Sequence, residues 1–389
     1  MKKNTRLGQY IKCNIPSESY QAYLPTALPP VPAINIAQLQ PHLMAATRNL
    51  GRLDAISTIL PDKSLLLYYY IRKEAVLSSQ IEGTQSSLSD LLLYESDEMQ
   101  STPIKDVVEV SSYVAALEHG VKRLEEGFPI SLRVICEIHK ILLSKGRGSS
   151  QRPGEFRRTQ NWIGGTRPGN AAFVPPPPDH LMKCLGDLEN YLHIRKPIYP
   201  ALIDAGLVHV QFETIHPFLD GNGRVGRLLI PILLILSGEL AQPVIYLSLF
   251  FKNNRNEYYT RLDAVRTKGD WEGWLKFFLN GIAQTADQII KTSTHISALL
   301  VADREKITTL KRAAQSASKA HQLLQQKGVI SAKEIASKLD ISLPTARLAL
   351  NNLKNLKIVK EIKGRGKERL FVYEELIELL EKGTEPIAY

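Results

Sequence analysis

The stretch "IHPFLDGNGRVGR" (215–227) sets a histidine, an aspartate, a Gly-Asn-Gly turn and two arginines between two apolar segments. Residues 201–214 carry apolar positions at helical spacing, and "LLIPILLIL" (228–236) reads as buried helix. Pro217 fixes its own φ and biases His216 away from helix, so the first helix ends near Ile215. Gly221-Asn222-Gly223 permits positive φ and close backbone approach, and a second helix follows from near Arg224. A glycine-rich turn feeding a helix N-terminus gathers free backbone N–H groups, an arrangement suited to phosphate. Arg224 and Arg227, three positions apart, lean toward the same anion. Asp220 in such a site needs a neutralising cation, and Mg2+ shared between its carboxylate and a polyphosphate meets that need. His216 then stands beside the phosphate as a general base. Phe218 reads as core, anchoring the loop.

Working outward, 389 residues exceed one typical hydrophobic core, which points to two or three domains. The net charge of +10 is localised: Lys311 to Arg369 holds fourteen Lys and Arg against four Asp and Glu, so the remainder balances. A localised basic segment is a polyanion contact in waiting. Three widely spaced cysteines without a CxxC pair exclude a disulfide framework and a cysteine zinc site, and suit a reducing compartment. The N-terminus "MKKNTRLGQYIKCNIP" lacks an apolar signal region, and the run at 228–236 is shorter than the about 20 residues a bilayer needs. A cytoplasmic protein is expected.

The first 40 residues are Pro-rich and aperiodic, which predicts an extended arm. Helices are predicted in "AQLQPHLMAATRNLGRLDAIS", in "DKSLLLYYYIRKEAVLSSQIEGT" with Asp62 as N-cap and Gly83 as stop, and over 108–125 and 131–144. Residues 145–180 are rich in Gly, Pro and Arg, with β-prone pieces at 162–163 and 172–174 that read as a hairpin or flap. Helical spacing returns at 181–193, 201–214, 224–237, 256–267 and 270–300. The last 80 residues give three helices, with Ser331 and Ser342 as caps and Pro344 in a first turn. Two β-prone runs joined by "GRGK" follow, completing a winged helix-turn-helix pattern. The expected organisation is mainly α. Residues 1–110 form an arm and helical region, 111–300 a helical core with a β-hairpin flap, and 311–389 a winged-helix domain.

The ordered set His216, Phe218, Asp220, Gly221, Asn222, Gly223, Arg224 and Arg227 matches H-x-F-x-[D/E]-G-N-G-R-x-x-R at every fixed position. In this the chain resembles the Fic family, and "RPGEFR" (152–157), "TQNWIGG" and the following prolines resemble that family's target-docking hairpin. The likeness covers roughly residues 30–290. It implies transfer of AMP from ATP, with Mg2+, to a Tyr, Ser or Thr hydroxyl of a target protein. His216 would be the base, Asp220 the metal ligand, and the Gly221–Gly223 amides with Arg224 and Arg227 the phosphate cradle. It also implies target docking at Ile163, Gly164, Gly165 and Thr166, and an adenine pocket at Tyr258, Tyr259 and Arg266. The kinase-like Doc branch has lysine in place of the motif's second glycine; Gly223 here favours adenylyl transfer.

"SSQIEG" (78–83) fits the family's inhibitory pattern [S/T]-x-x-x-E-[G/N] as Ser78, Glu82 and Gly83. Glu82 sits at a helix C-terminus, where the macrodipole disfavours an anion. The resemblance implies that Glu82 pairs with Arg227 and blocks the γ-phosphate subsite. In some relatives this glutamate supports AMP removal, so a de-AMPylating reaction stays open, as does a nucleotide-sensing transcription regulator. A homodimer is common among relatives. In the C-terminal unit Thr345, Arg347 and Asn351 would face a DNA major groove, and Lys363, Arg365 and Lys367 a phosphate backbone. Protein contacts are the competing use of such a module.

Overall fold

The computed structural model describes residues 6–15, 18–59, 63–95, 105–194, 196–363 and 369–386; Asp62, Arg365 and Lys367 lie outside the described residues. The chain begins with an antiparallel hairpin, β1 (Gln9–Ile15) and β2 (Glu18–Leu24), with Tyr10 opposite Tyr23 and Cys13 opposite Tyr20. This corrects the expected aperiodic arm. Most of β1 is exposed, so the alternation that marks a half-buried strand is absent from its sequence. β2 carries the burial, seating Tyr20 and Ala22 against Val174.

Five helices follow: α1 (Ile36–Ile59), α2 (Lys63–Ile81), α3 (Leu88–Glu95), α4 (Lys105–Glu125) and α5 (Leu132–Leu142). Ser131 caps α5 by accepting from Val134 N at 3.4 Å. After a long connection come α6 (Pro178–Leu192), α7 (Ala201–Ile215), α8 (Asn222–Leu236), α9 (Ser248–Asn253) and α10 (Arg255–Lys268). α11 (Trp271–Thr308) has 38 residues, runs beyond its expected end near residue 300, and lies along α1. Nearly every side chain of α7 and α8 is buried, which is why neither shows a polar face in sequence. The two helices pack on each other and hold the signature loop between them.

The C-terminal elements are α12 (Ala314–Lys327), β3 (Val329–Ser331), α13 (Ala332–Leu339), α14 (Leu343–Asn355), β4 (Lys360–Lys363), β5 (Arg369–Val372) and α15 (Glu374–Glu381). The strands form an antiparallel sheet in the order β3-β5-β4. Ser331 accepts from Glu334 N and Ser342 from Thr345 N, and Pro344 sits in the first turn of α14. One continuous cluster of buried apolar side chains runs from Leu28 through α11 to Leu380 of α15. Among the described residues no helix is long and apolar enough to cross a membrane.

Candidate active site

α7 ends at Ile215, and His216 caps it at φ 50°, ψ 62°. Pro217 steers its predecessor out of the helix, but into the left-handed region rather than the extended one. A non-glycine residue persists there only when its surroundings hold it. Arg157 is the main brace. Its Nε donates to His216 O at 2.9 Å, its Nη2 to Pro176 O at 2.5 Å, and its backbone N to Pro217 O at 3.0 Å. Asn222 closes the loop on itself: Oδ1 accepts from Phe218 N and Nδ2 donates to Phe218 O, each at 2.8 Å. That closure draws Asn222 into the helix, so α8 begins earlier than the expected Arg224.

Phe218 is fully buried and stacks on His139 at 3.7 Å and on Phe156 at 5.2 Å. His139 Nδ1 accepts from Gly154 N at 2.8 Å, which leaves Nε2 to donate to Asp220 O at 3.0 Å. The segment "RPGEFR" is thus a buttress beneath the loop, through Gly154, Phe156 and Arg157, and not part of a docking hairpin.

A carbonyl only accepts, so His216 Nδ1 donates to Glu213 O at 3.4 Å and Nε2 is left as the acceptor. Burial, helped by Arg266 and Arg157, pulls the imidazole down to about 4, so it is neutral at pH 7. Asp220 keeps its side chain 34% exposed, and its Oδ1 accepts from Gly221 N. Gly221 has φ 78°, and the backbone N–H groups that open α8 follow it.

The two arginines of the stretch diverge instead of converging on one anion. Arg224 is buried and donates to Glu109 Oε2 at 3.3 Å, with Asp220 Oδ1 at 3.6 Å. Arg227, also buried, donates through Nε to Ser78 Oγ at 2.9 Å and through Nη2 to Ser78 O at 3.0 Å. The same Nη2 reaches Glu82 Oε1 at 2.7 Å. Each guanidinium has found a carboxylate on a different helix, Glu109 on α4 and Glu82 just past the end of α2. Burial alone would raise the Glu82 carboxyl, but the charge and hydrogen bond of Arg227 outweigh it and hold the group ionised. Arg227 also caps the free carbonyl end of α2, removing the dipole penalty read from sequence. Gly83 stops the helix at φ 102°. A Cβ on Gly223 would lie 2.3 Å from Glu82 Oε1 and 3.0 Å from Arg227 Nη1, so a side chain there would push on the carboxylate end of this pair.

These groups face a cavity of about 830 Å³. His216, Asp220, Gly221–Gly223 and Arg227 form one side and Glu82 borders it; Ile163, Gly164 and Phe173 come from the flap, and Tyr258, Tyr259 and Arg266 from α10. The flap is a closed loop with one antiparallel bridge, Ile163 N to Phe173 O at 2.8 Å and Phe173 N to Ile163 O at 3.1 Å. Gly165 and Thr166 lie at its tip, away from the cavity lining, with Thr166 N on Asn170 Oδ1.

The α10 residues differ in role. Tyr258 is core, its hydroxyl 2.8 Å from His209 Nε2, while Tyr259 is 41% exposed at the cavity. Arg266 donates to Thr214 Oγ1 and Glu213 O and lies 3.9 Å over the Phe173 ring, tying α10 to α7 and the flap. Sequence reasoning missed Arg157, Glu109 and Glu213. Glu213 lines the cavity, with burial raising its carboxyl to about 7. It sits one helical turn before His216, the one signal that could have flagged it. Thr345, Arg347 and Asn351 are exposed on α14, and Lys363 is exposed at the end of β4, all of them outside this cavity.

Comparison with known proteins bears on this geometry. The description "Fic/DOC family N-terminal" matches residues 40–122 and "Fic/DOC family" matches residues 129–234. The chain is 32% identical over 169 residues to protein adenylyltransferase Fic of Aedes aegypti, covering 43% of this chain and 31% of the relative. For the Drosophila virilis protein of the same name the figures are 30% over 243 residues, 60% and 46%. The chain thus spans less than half the length of these curated relatives. Among solved structures, a Fic family protein from Desulfovibrio desulfuricans superimposes with a TM-score of 0.55 at 19% identity, covering 85% of this chain and 96% of that one. Fic-1 from C. elegans gives 0.52 at 22%, covering 66% and 73%. The N-terminal match contains Glu82 and the second match contains the whole signature loop, so the chain carries both Fic/DOC family regions.

Proposed function

We propose that this chain is a protein adenylyltransferase that moves AMP from ATP to a hydroxyl of a target protein and is held inactive by Glu82. The observation that carries the reading is the neutral His216, with Nε2 free, set beside a helix N-terminus and the buried Arg227 on one cavity. Relatives at about 30% identity bear the adenylyltransferase name, which supports ATP as co-substrate. In the reaction, His216 Nε2 takes the proton of the target hydroxyl and that oxygen bonds to the α-phosphorus. The bond from the α-phosphorus to the bridging oxygen breaks and pyrophosphate leaves. The amides opening α8 meet charge on the phosphates.

Among the described residues no cluster of three or more His, Cys, Asp or Glu is arranged to cage a metal. A single partly exposed carboxylate, Asp220, fits Mg2+ that takes its other ligands from phosphate and water. When bound, the ion would offset phosphate charge. Glu82 on Arg227 removes the cation that would meet the γ-phosphate.

The test is incorporation of α-labelled AMP into lysate proteins by wild type, Glu82→Gly and His216→Ala in the Glu82→Gly background. Glu82→Gly should label strongly, and adding His216→Ala should remove about 10²–10⁴-fold of that signal. Labelling that survives without His216 would end the assignment.

The C-terminal elements support a second binding role. We propose that they form a winged helix whose α14 presents Thr345, Arg347 and Asn351 to a DNA groove, with Lys363 on the backbone. All four are exposed, although Leu348 is also 58% exposed on the same helix. Binding that falls steeply with salt would mark a phosphate contact.

A further inference from the structure

α2 is shared between two partners, and its residues are sorted by face. Glu74, Ser78 and Glu82, each four apart, meet α4, α8 and α9. Glu74 accepts from Ser248 N at 3.0 Å and from the Tyr113 hydroxyl at 3.3 Å, and Ser78 and Glu82 hold Arg227. Tyr69, Lys73 and Gln80 occupy another face and meet the C-terminal unit. The Tyr69 hydroxyl donates to Gln325 O at 3.1 Å. Lys73, 1% exposed, donates through Nζ to Leu380 O at 2.8 Å and Lys382 O at 2.7 Å. Gln80 Nε2 donates to Thr384 O at 2.7 Å. Lys252 of α9 closes the arrangement, donating to Gln80 Oε1 at 2.7 Å, Gly383 O at 3.1 Å and Glu385 O.

The Lys73 ammonium therefore caps the carbonyl end of α15, where the helix dipole favours a cation. Withdrawing that end would leave a buried charge with its acceptors gone, a strongly unfavourable state. Burial already lowers the Lys73 pKa to about 8. Gln80 is two residues from Glu82, and one end of its amide holds the tail while the other holds Lys252.

We propose that residues 380–385 form a latch that positions α2, so that the C-terminal unit controls whether Glu82 stays on Arg227. The inference rests on the autoinhibition reading above and adds the element that sets it. Lys73, Gln80 and Lys252 are positioning residues, none of them lining the cavity. An event that pulls α15 and its tail from α2 would loosen Glu82 and raise transfer.

The test uses the full chain with Lys73→Met and Lys252→Met, each alone and combined with Glu82→Gly, reading AMP incorporation and thermal unfolding. Each latch variant should raise transfer by roughly 5–150-fold, the usual span of coupling between two sites. Neither should add to the rate of Glu82→Gly, because both act through that glutamate. If Lys73→Met fails to fold, Lys252→Met carries the same comparison with only a half-buried cation removed. A raised Glu82→Gly beside folded but silent latch variants overturns the latch alone, as does a gain that persists without Glu82. A silent Glu82→Gly overturns autoinhibition and the latch together.

Discussion

The signature loop and the flap line the same cavity and are held in place differently. Between His216 and Asn222 the carbonyls of His216, Phe218 and Asp220 are met by side chains brought from elsewhere, Arg157, Asn161 and His139, and Asn222 closes the loop on Phe218. The flap has one backbone bridge, between Ile163 and Phe173, and a tip held by the Asn170 side chain, with Gly164 and Gly165 both at positive φ. If the proposed function holds, geometry is fixed where bonds would change and left permissive where a target chain would lie. An extended target can add to a short strand edge without its sequence being read.

The strongest way to break this contrast is Phe218→Ala. It removes a fully buried ring from between His139 and Phe156 and should lower stability by about 3–5 kcal/mol in denaturant unfolding, with transfer lost as His216 loses its seat. The rigid side can also be probed by pH. Burial lowers the His216 pKa, so its neutral form is favoured in the fold. The stability this contributes is present above the ordinary histidine value and is lost as pH falls through about 4. Removing Glu82 takes away an anion that raises that value, so the acid limb of kcat/KM for Glu82→Gly should fall about tenfold per pH unit only below about 4. A limb near 6.5 would mean an exposed imidazole. The smallest effect belongs to the flap. Gly165→Ala forces a side chain onto φ 69° with its Cβ 2.4 Å from Asn170 O, a local cost of about 1–2 kcal/mol. KM for the target should rise severalfold while kcat holds and the unfolding midpoint falls only slightly.

What the sequence made legible follows the same division. Local signals were strong wherever a residue acts on its own backbone: the end of α7 at Pro217, the stop at Gly83, the caps Ser331 and Ser342. The long helices followed from apolar spacing. The short α3, α9 and α15 carry too few turns for periodicity to show, and the mostly exposed β1 has no alternation to read. Partners across the chain were the other blind spot. Nothing near Arg224 in sequence announces Glu109, 115 positions upstream, and nothing in "RPGEFR" says that Arg157 will hold the carbonyl of His216. Periodicity reports that a side chain is buried, not what it meets there. The motif placed the polar groups that line the cavity, yet the two arginines it sets three apart answer to different carboxylates.

Gly223 carries a consequence for how this protein varies over generations. Its missing side chain leaves room for the Glu82 carboxylate beside Arg227, and its backbone lies in the first turn of α8. Under the proposed function, an enlargement there would press on the restraint and on the phosphate cradle in one substitution. On that reading restraint and chemistry share one point of mutational fragility. A lineage that sheds its inhibition would be expected to do so by changing Glu82, where one function is lost, and to leave Gly223, where two would be.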